Sequence, residues 1–115
     1  MGRSLRKLLE YRGYIGEFGL GEEAILLGHV LGMKRNLITF DGHTAAELER
    51  NYHKAVDDYL EACKSSQIKP EIPFKGSFNI RIGCERHTVL AREATRKNTS
   101  INNLIISAID QIYAM

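Results

Sequence analysis

One short segment near the C-terminus constrains the fold most, because it has the pattern of a strand with no neighbour to pair with. In residues 77–82, Phe78, Ile80 and Ile82 alternate with polar residues, as in a strand with one buried face. The residues that follow have helical patterns and offer no second strand. A lone strand leaves both edges unpaired. We therefore expect it to pair with the same strand of a second copy, as an antiparallel ribbon about a twofold axis.

The polar positions of this strand suggest what such a ribbon binds. Ser77, Asn79 and Arg81 would project from one face, once from each copy. Asparagine can pair with adenine and arginine with guanine, and the DNA major groove admits a two-stranded ribbon. The pattern predicts that Ser77, Asn79 and Arg81 contact base edges. The alternative is that these side chains are only the solvated face of the ribbon.

Two helices are predicted behind the strand. The first covers about residues 84–97 and is followed by Asn98, which tolerates the left-handed backbone that ends a helix. Either Thr99 or Ser100 can cap the second helix. The second helix has an aliphatic stripe at helical spacing, more than about forty residues can bury alone, which again favours a dimer. The stripe comprises Ile101, Leu104, Ile105, Ala108, Ile109 and Ile112.

The start of the second helix is a candidate phosphate site. The first N–H groups of a helix have no partner within the helix, and the positive end of its dipole attracts anions. We expect Ser100, Ile101 and Asn102 to contact the DNA backbone there.

The front region predicts a separate small domain. Residues 11–18, 24–31 and 37–40 are strand candidates, and Asp41-Gly42 is a turn signal. Thr44 and Glu47 have the spacing of a capping box that opens a helix. An apolar stripe follows on that helix: Leu48, Tyr52, Ala55, Val56, Tyr59, Leu60 and Cys63. The predicted fold class is α+β, with a β-β-β-α domain at 1–63, a linker at 64–76 and a dimeric β-α-α domain at 77–115.

Charge and composition limit the classes of function. Residues 1–63 carry eight Lys/Arg and ten Asp/Glu, whereas residues 64–115 carry eight and four, so the halves differ in sign at −2 and +4. This difference suits a basic partner at the front and phosphate at the back, although chance alone also produces excesses this small. The basic start of the chain lacks the apolar run of a secretory signal. Cys63 and Cys84 are expected to be reduced, in a cytoplasmic protein.

Catalysis is not predicted. A metal-dependent nuclease needs several carboxylates converging from strands and a helix, and the strand candidates supply essentially none. Asp57 and Asp58 are adjacent on a helix and so do not face each other. The four histidines are scattered along the chain. We expect no catalytic centre, no bound metal and no cofactor.

In their order and spacing, several motifs resemble one family. The C-terminal runs F-N-I-R-I and N-T-S-I-N-N-L-I-I-S-A-I resemble the ribbon-helix-helix repressors. The earlier runs L-I-T-F-D-G-H-T-A-A-E-L and A-V-D-D-Y-L-E-A-C resemble the HicB-type antitoxins, and the likeness extends over nearly the whole chain. Two departures are Asn98, where the family often has glycine, and the segment between Gly16 and Gly28, where the family usually has a longer acidic loop.

This resemblance implies a partial RNase H-like front domain and a type II antitoxin that neutralises a small basic mRNA-cleaving toxin of the HicA type. It also implies a dimeric repressor of the shared operon. Candidate toxin contacts are Glu22, Glu23, Asp57 and Asp58. One alternative is a stand-alone repressor whose N-terminal domain senses a ligand or protein. A degenerate nuclease is the other.

Overall fold

The computed structural model describes residues 7–114, which form a four-stranded antiparallel sheet followed by three helices. The predicted α+β class is confirmed. The chain divides into two compact units, residues 1–76 and residues 77–115, which are described separately below. Most of the basic start, residues 1–6, lies outside the described residues. None of the helices between residues 7 and 114 is long and apolar enough to cross a membrane.

The sheet of the first unit is a meander of four strands in sequence order, one more than the sequence predicted. The extra strand is the first one, and it pairs with the second through a two-residue turn at Arg12 and Gly13. Both turn residues have positive φ, +52° and +84°, as a tight hairpin with the twist of its strands requires. The strands are β1 (Lys7–Tyr11), β2 (Tyr14–Leu20), β3 (Leu26–Val30) and β4 (Thr39–Gly42), with a short 3₁₀ turn at Glu22–Ala24.

The turn predicted at Asp41-Gly42 is wrong, because both residues belong to β4. Gly42 meets a different requirement. A Cβ atom on it would lie 2.5 Å from the backbone nitrogen of Leu48, so the glycine allows the helix to cross close to the strand. Gly28 has the same role inside β3, where a Cβ atom would lie 2.5 Å from the ring of Phe40.

Helix α1 (Ala45–Ser65) covers one face of this sheet and begins at the predicted cap. The Thr44 hydroxyl accepts a hydrogen bond from the Glu47 N–H at 3.1 Å. The Glu47 carboxylate does not return to Thr44; it accepts from the backbone N–H of His43 instead. The predicted apolar stripe is confirmed: its buried members are Leu48, Tyr52, Val56 and Cys63.

The core of the first unit lies between α1 and the sheet. Tyr52 and Val56 are completely buried, and the Tyr52 hydroxyl donates to the carbonyl of Tyr14. A buried tyrosine stabilises a fold only when its hydroxyl has a partner, and here it has one. The other buried members of the cluster are Val30, Ile38, Phe40 and Leu48.

The second unit contains two helices, close to where the sequence predicted them. Helix α2 (Gly83–Arg96) ends with Asn98 at φ +54°, and the Thr99 N–H donates to the Ala94 carbonyl at 2.8 Å. This is the bond pattern of a Schellman motif, with asparagine in the usual glycine position. Ser100 then caps helix α3 (Ile101–Tyr113) by accepting from the Asn103 N–H at 3.0 Å.

Candidate nucleic-acid and protein interfaces

Residues 77–82, the predicted ribbon strand, form neither helix nor paired strand within the single chain. Ser77, Asn79 and Arg81 are exposed there. In the described part of the chain, no hydrogen bond or ion pair ties the side chain of Asn79 or Arg81 to another residue. A strand needs a partner to complete its ladder, so pairing with a second copy stays a prediction.

The second unit has little core of its own. Ala94 is its only buried residue between positions 77 and 114. Phe78 is 82% exposed and Ile80 is 51% exposed, although both have the alternation of a buried strand face. Ile80, Ile82, Val89, Leu90 and Ile105 line an open groove of about 540 Å³, together with Glu85 and Arg86.

Further exposed aliphatic residues lie on α3, where Ile106, Ile109 and Ile112 are 39–73% exposed. Fully burying one such side chain is worth roughly 1.5–3 kcal/mol. A unit of this size that exposes so many large apolar side chains has the surface of one half of an oligomer.

The predicted phosphate contacts lie together at the start of α3. The Ser100 hydroxyl oxygen accepts from Asn103, so its own proton remains to be donated to an anion. Within the described residues, the backbone N–H groups of Ile101 and Asn102 have no protein acceptor. Three donors thus lie at the positive end of the helix dipole, although Ser100 also has a structural role as the cap.

The predicted acidic contacts of the first unit differ in availability. Glu22 and Glu23 are exposed in the 3₁₀ turn between β2 and β3. Asp58 is exposed on α1 and pairs with Lys54 one helical turn earlier, at 2.6 Å. An exposed pair of this spacing contributes only about 0.3–0.5 kcal/mol, so Asp58 can readily exchange its partner.

Asp57, in contrast, has a structural position. Its carboxylate accepts a hydrogen bond from the Tyr11 hydroxyl at 2.9 Å and from the Arg12 guanidinium at 2.8 Å. These two donors, Arg12 first, lower the pKa of Asp57. The Tyr11 ring stacks on His53 with 4.0 Å between ring centroids. Asp57 therefore joins α1 to the β1–β2 hairpin, which leaves its carboxylate less available to a partner.

The face of the sheet opposite α1 was not singled out by the sequence. Along each strand, the residues that alternate with the core residues lie on this uncovered face. Leu8 is 63% exposed and Leu27 is 52% exposed there, and the carboxylates of Glu10 and Asp41 lie on the same face. Apolar and acidic side chains together are suited to a protein partner with basic and apolar groups.

Sequence reasoning also missed Glu71, in the segment predicted to be a linker. Glu71 is only 8% exposed, and its carboxylate accepts hydrogen bonds from the backbone N–H groups of Lys34, Arg35 and Asn36. The Tyr59 hydroxyl accepts from the Glu71 N–H at 2.8 Å. These bonds attach residues 68–76 to the β3–β4 loop. No local pattern marks such a residue, because its partners are more than thirty positions away.

We expect Glu71→Gln to lower the melting temperature at pH 7. The N–H donors, that of Lys34 first, lower the pKa of Glu71 from its ordinary value of 4.5 to about 2. Below pH 4.5 the unfolded chain takes up a proton that the folded chain refuses, so this stabilisation decreases as the pH falls and is lost near pH 2. The difference in melting temperature between wild type and variant should therefore narrow from pH 5 to pH 2.

Glu61→Gln is the matched control, because Glu61 is exposed on α1 and has no ion-pair partner among the described residues. It should melt like the wild type throughout this pH range. Equal melting temperatures for Glu71→Gln and Glu61→Gln at pH 7 would show that the carboxylate of Glu71 does not stabilise the fold.

In the described residues, no three His, Cys, Asp or Glu side chains converge as metal ligands. One comparison with known proteins gives a family. Residues 59–109 match the model of the HicB family. This HicB match covers less than half of the 115 residues, from the last turns of α1 through the Glu71 segment, α2 and most of α3. No match to the chain is found among curated proteins or solved structures.

Proposed function

We propose that this chain is a HicB-type antitoxin, which neutralises a small basic mRNA-cleaving toxin of the HicA type and represses its own operon as a dimer. The match of residues 59–109 to the HicB family carries this proposal. Two features of the structure support it: the apolar surface of the second unit and the acidic and apolar side chains of the first. The proposal needs no catalytic step in this chain.

Repression is assigned to the second unit. Two copies would pair residues 77–82 as an antiparallel ribbon and bury Phe78 and Ile80 against the helices of both chains. This pairing would place Asn79 and Arg81 of both copies on one polar face, which enters the major groove. The starts of the two α3 helices would then bind flanking phosphates through Ser100, Ile101 and Asn102.

Toxin binding is assigned to the first unit. Among the predicted contacts, Glu22 and Glu23 are the most available, and Asp58 needs only to exchange Lys54 for a basic group of the toxin. Asp57 supports the hairpin rather than contacting the toxin directly. The uncovered sheet face adds apolar area at Leu8 and Leu27.

A growth assay tests the antitoxin part. The small basic reading frame beside this one, placed under an inducible promoter, should arrest growth, and coexpression of this chain should restore it. The double variant Glu22→Gln/Glu23→Gln should restore growth less well than the control Glu47→Gln/Glu49→Gln, whose carboxylates lie near the start of α1. Growth arrest that persists at full expression of folded wild-type chain would contradict the proposal.

A further inference from the structure

Four basic side chains surround one concave surface on the first unit. Lys34 and Arg35 come from the β3–β4 loop, and Lys69 and Lys75 from the segment after α1. Together with Gly32, Pro70, Glu71 and Ile72 they line a cavity of about 490 Å³. We call Lys34, Arg35, Lys69 and Lys75 the basic patch. Its members are distant in sequence, so charge counting along the chain did not show it.

The positive charge of the basic patch is not neutralised within the chain. Among the described residues, none of the four side chains is in an ion pair. Glu71 lies beside them, but its carboxylate is occupied by three backbone N–H groups and the Asn36 side-chain amide. Four cations and one carboxylate leave the patch with a formal charge of +3. Exposed like charges held this close repel one another unless an anion lies between them.

Glu71 explains why the patch has a fixed shape. By accepting the N–H groups of residues 34–36, it holds the loop of Lys34 and Arg35 against the segment that carries Lys69 and Lys75. The Phe74 N–H donates to the Gly32 carbonyl at 3.0 Å, which fixes the same segment a second time. The cations are therefore presented by an anchored backbone, although their side chains remain free to adjust.

We propose that the basic patch binds the phosphodiester backbone of the same DNA duplex that the second unit reads. This inference rests on the proposed DNA binding. Lys75 is only two residues before Ser77, and two residues span at most about 7 Å. DNA held by Asn79 and Arg81 therefore lies next to one member of the patch by chain connectivity alone.

The composition of the patch favours a polyanion over a single bound phosphate. A site for one phosphate usually offers converging backbone N–H groups, and here Glu71 already occupies those of the loop. Long flexible lysines spread over a groove fit instead the spaced charges of a duplex backbone. Such contacts add affinity that does not depend on base sequence and that decreases steeply with salt.

The salt dependence of DNA binding tests this proposal. The triple variant Lys34→Gln/Lys69→Gln/Lys75→Gln is compared with Lys7→Gln/Arg50→Gln/Lys64→Gln, which removes the same charge from exposed positions of the first unit outside the patch. Operator affinity is titrated from 50 to 300 mM salt with full-length protein. Each lost phosphate contact should make the slope of log K against log salt shallower by roughly 0.9. We expect a change of about 2–3 for the patch variant and little change for the control.

The preference for operator over scrambled DNA should stay unchanged in the patch variant, because phosphate contacts carry no sequence information. Equal slopes for the patch and control variants, with the wild type binding its operator, would overturn the patch and leave the reading of bases intact. Wild-type protein that does not prefer its operator would instead overturn the DNA-binding function on which the patch rests. A patch variant that loses toxin binding but keeps its salt slope would assign the surface to a protein partner and overturn the proposal.

Discussion

Replacing Ile105 with alanine is expected to dissociate the dimer and abolish operator binding. Ile105 lies in the apolar groove beside Ile80, and the second unit buries only Ala94 among its described residues. In the proposed dimer both isoleucines enter the shared core, so truncating either one costs roughly 2–5 kcal/mol. Because a ribbon needs both strands, a monomer keeps neither the ribbon nor its base contacts. Ile80→Ala should have the same effect.

Sedimentation equilibrium and a thermal melt measure this result together. The wild type should sediment as a dimer, or as a larger assembly of dimers, with a melting temperature that rises with protein concentration. The control is Ile68→Ala, the same substitution at an exposed position of the first unit. A variant at Ile105 that remains dimeric and melts like Ile68→Ala would show that the groove is not the interface.

Replacing Arg81 with alanine should have the other large effect, on affinity rather than assembly. A bidentate arginine–guanine pair is worth about 1–3 kcal/mol, and the dimer carries the residue twice, so the expected loss is roughly 2–6 kcal/mol for the whole operator. Arg81 is exposed and contributes no ion pair to the described fold, so the variant should fold and dimerise normally. The loss should be confined to specific binding, and discrimination at one base position of each half-site should relax.

Arg92→Ala is the matched control for that measurement, because Arg92 is exposed on α2 and is also free of ion pairs among the described residues. Gel-shift titrations at one fixed salt concentration compare operator and scrambled duplexes. The Arg81 reading fails if both variants lose affinity equally for the two duplexes, because the contact would then be general electrostatics rather than base recognition.

The features that the sequence predicted correctly are those governed by local rules. Helix α1 has an apolar stripe of period 3.6 and a threonine cap, and both are present in the fold. Asn98 adopts the left-handed conformation expected after α2. Local rules worked at these positions because the determining residues are within four positions of one another.

The features that the sequence missed depend on distant residues or on unusual turn chemistry. Strand β1 was overlooked because arginine at the first turn position is not one of the residues that normally favour positive φ. Glu71 and the basic patch become visible only when the β3–β4 loop and the segment after α1 are brought together. Pairing of residues 77–82 requires a second chain, so a single chain does not test it.

Inhibition of purified toxin tests the central claim most directly. The product of the adjacent small basic reading frame is incubated with a labelled messenger RNA and increasing amounts of this chain. The account predicts that cleavage stops at a fixed molar ratio of antitoxin to toxin, and that Arg81→Ala inhibits as well as the wild type because it alters only the DNA-reading unit. Undiminished cleavage in an excess of folded chain would contradict the antitoxin function and would favour a stand-alone repressor.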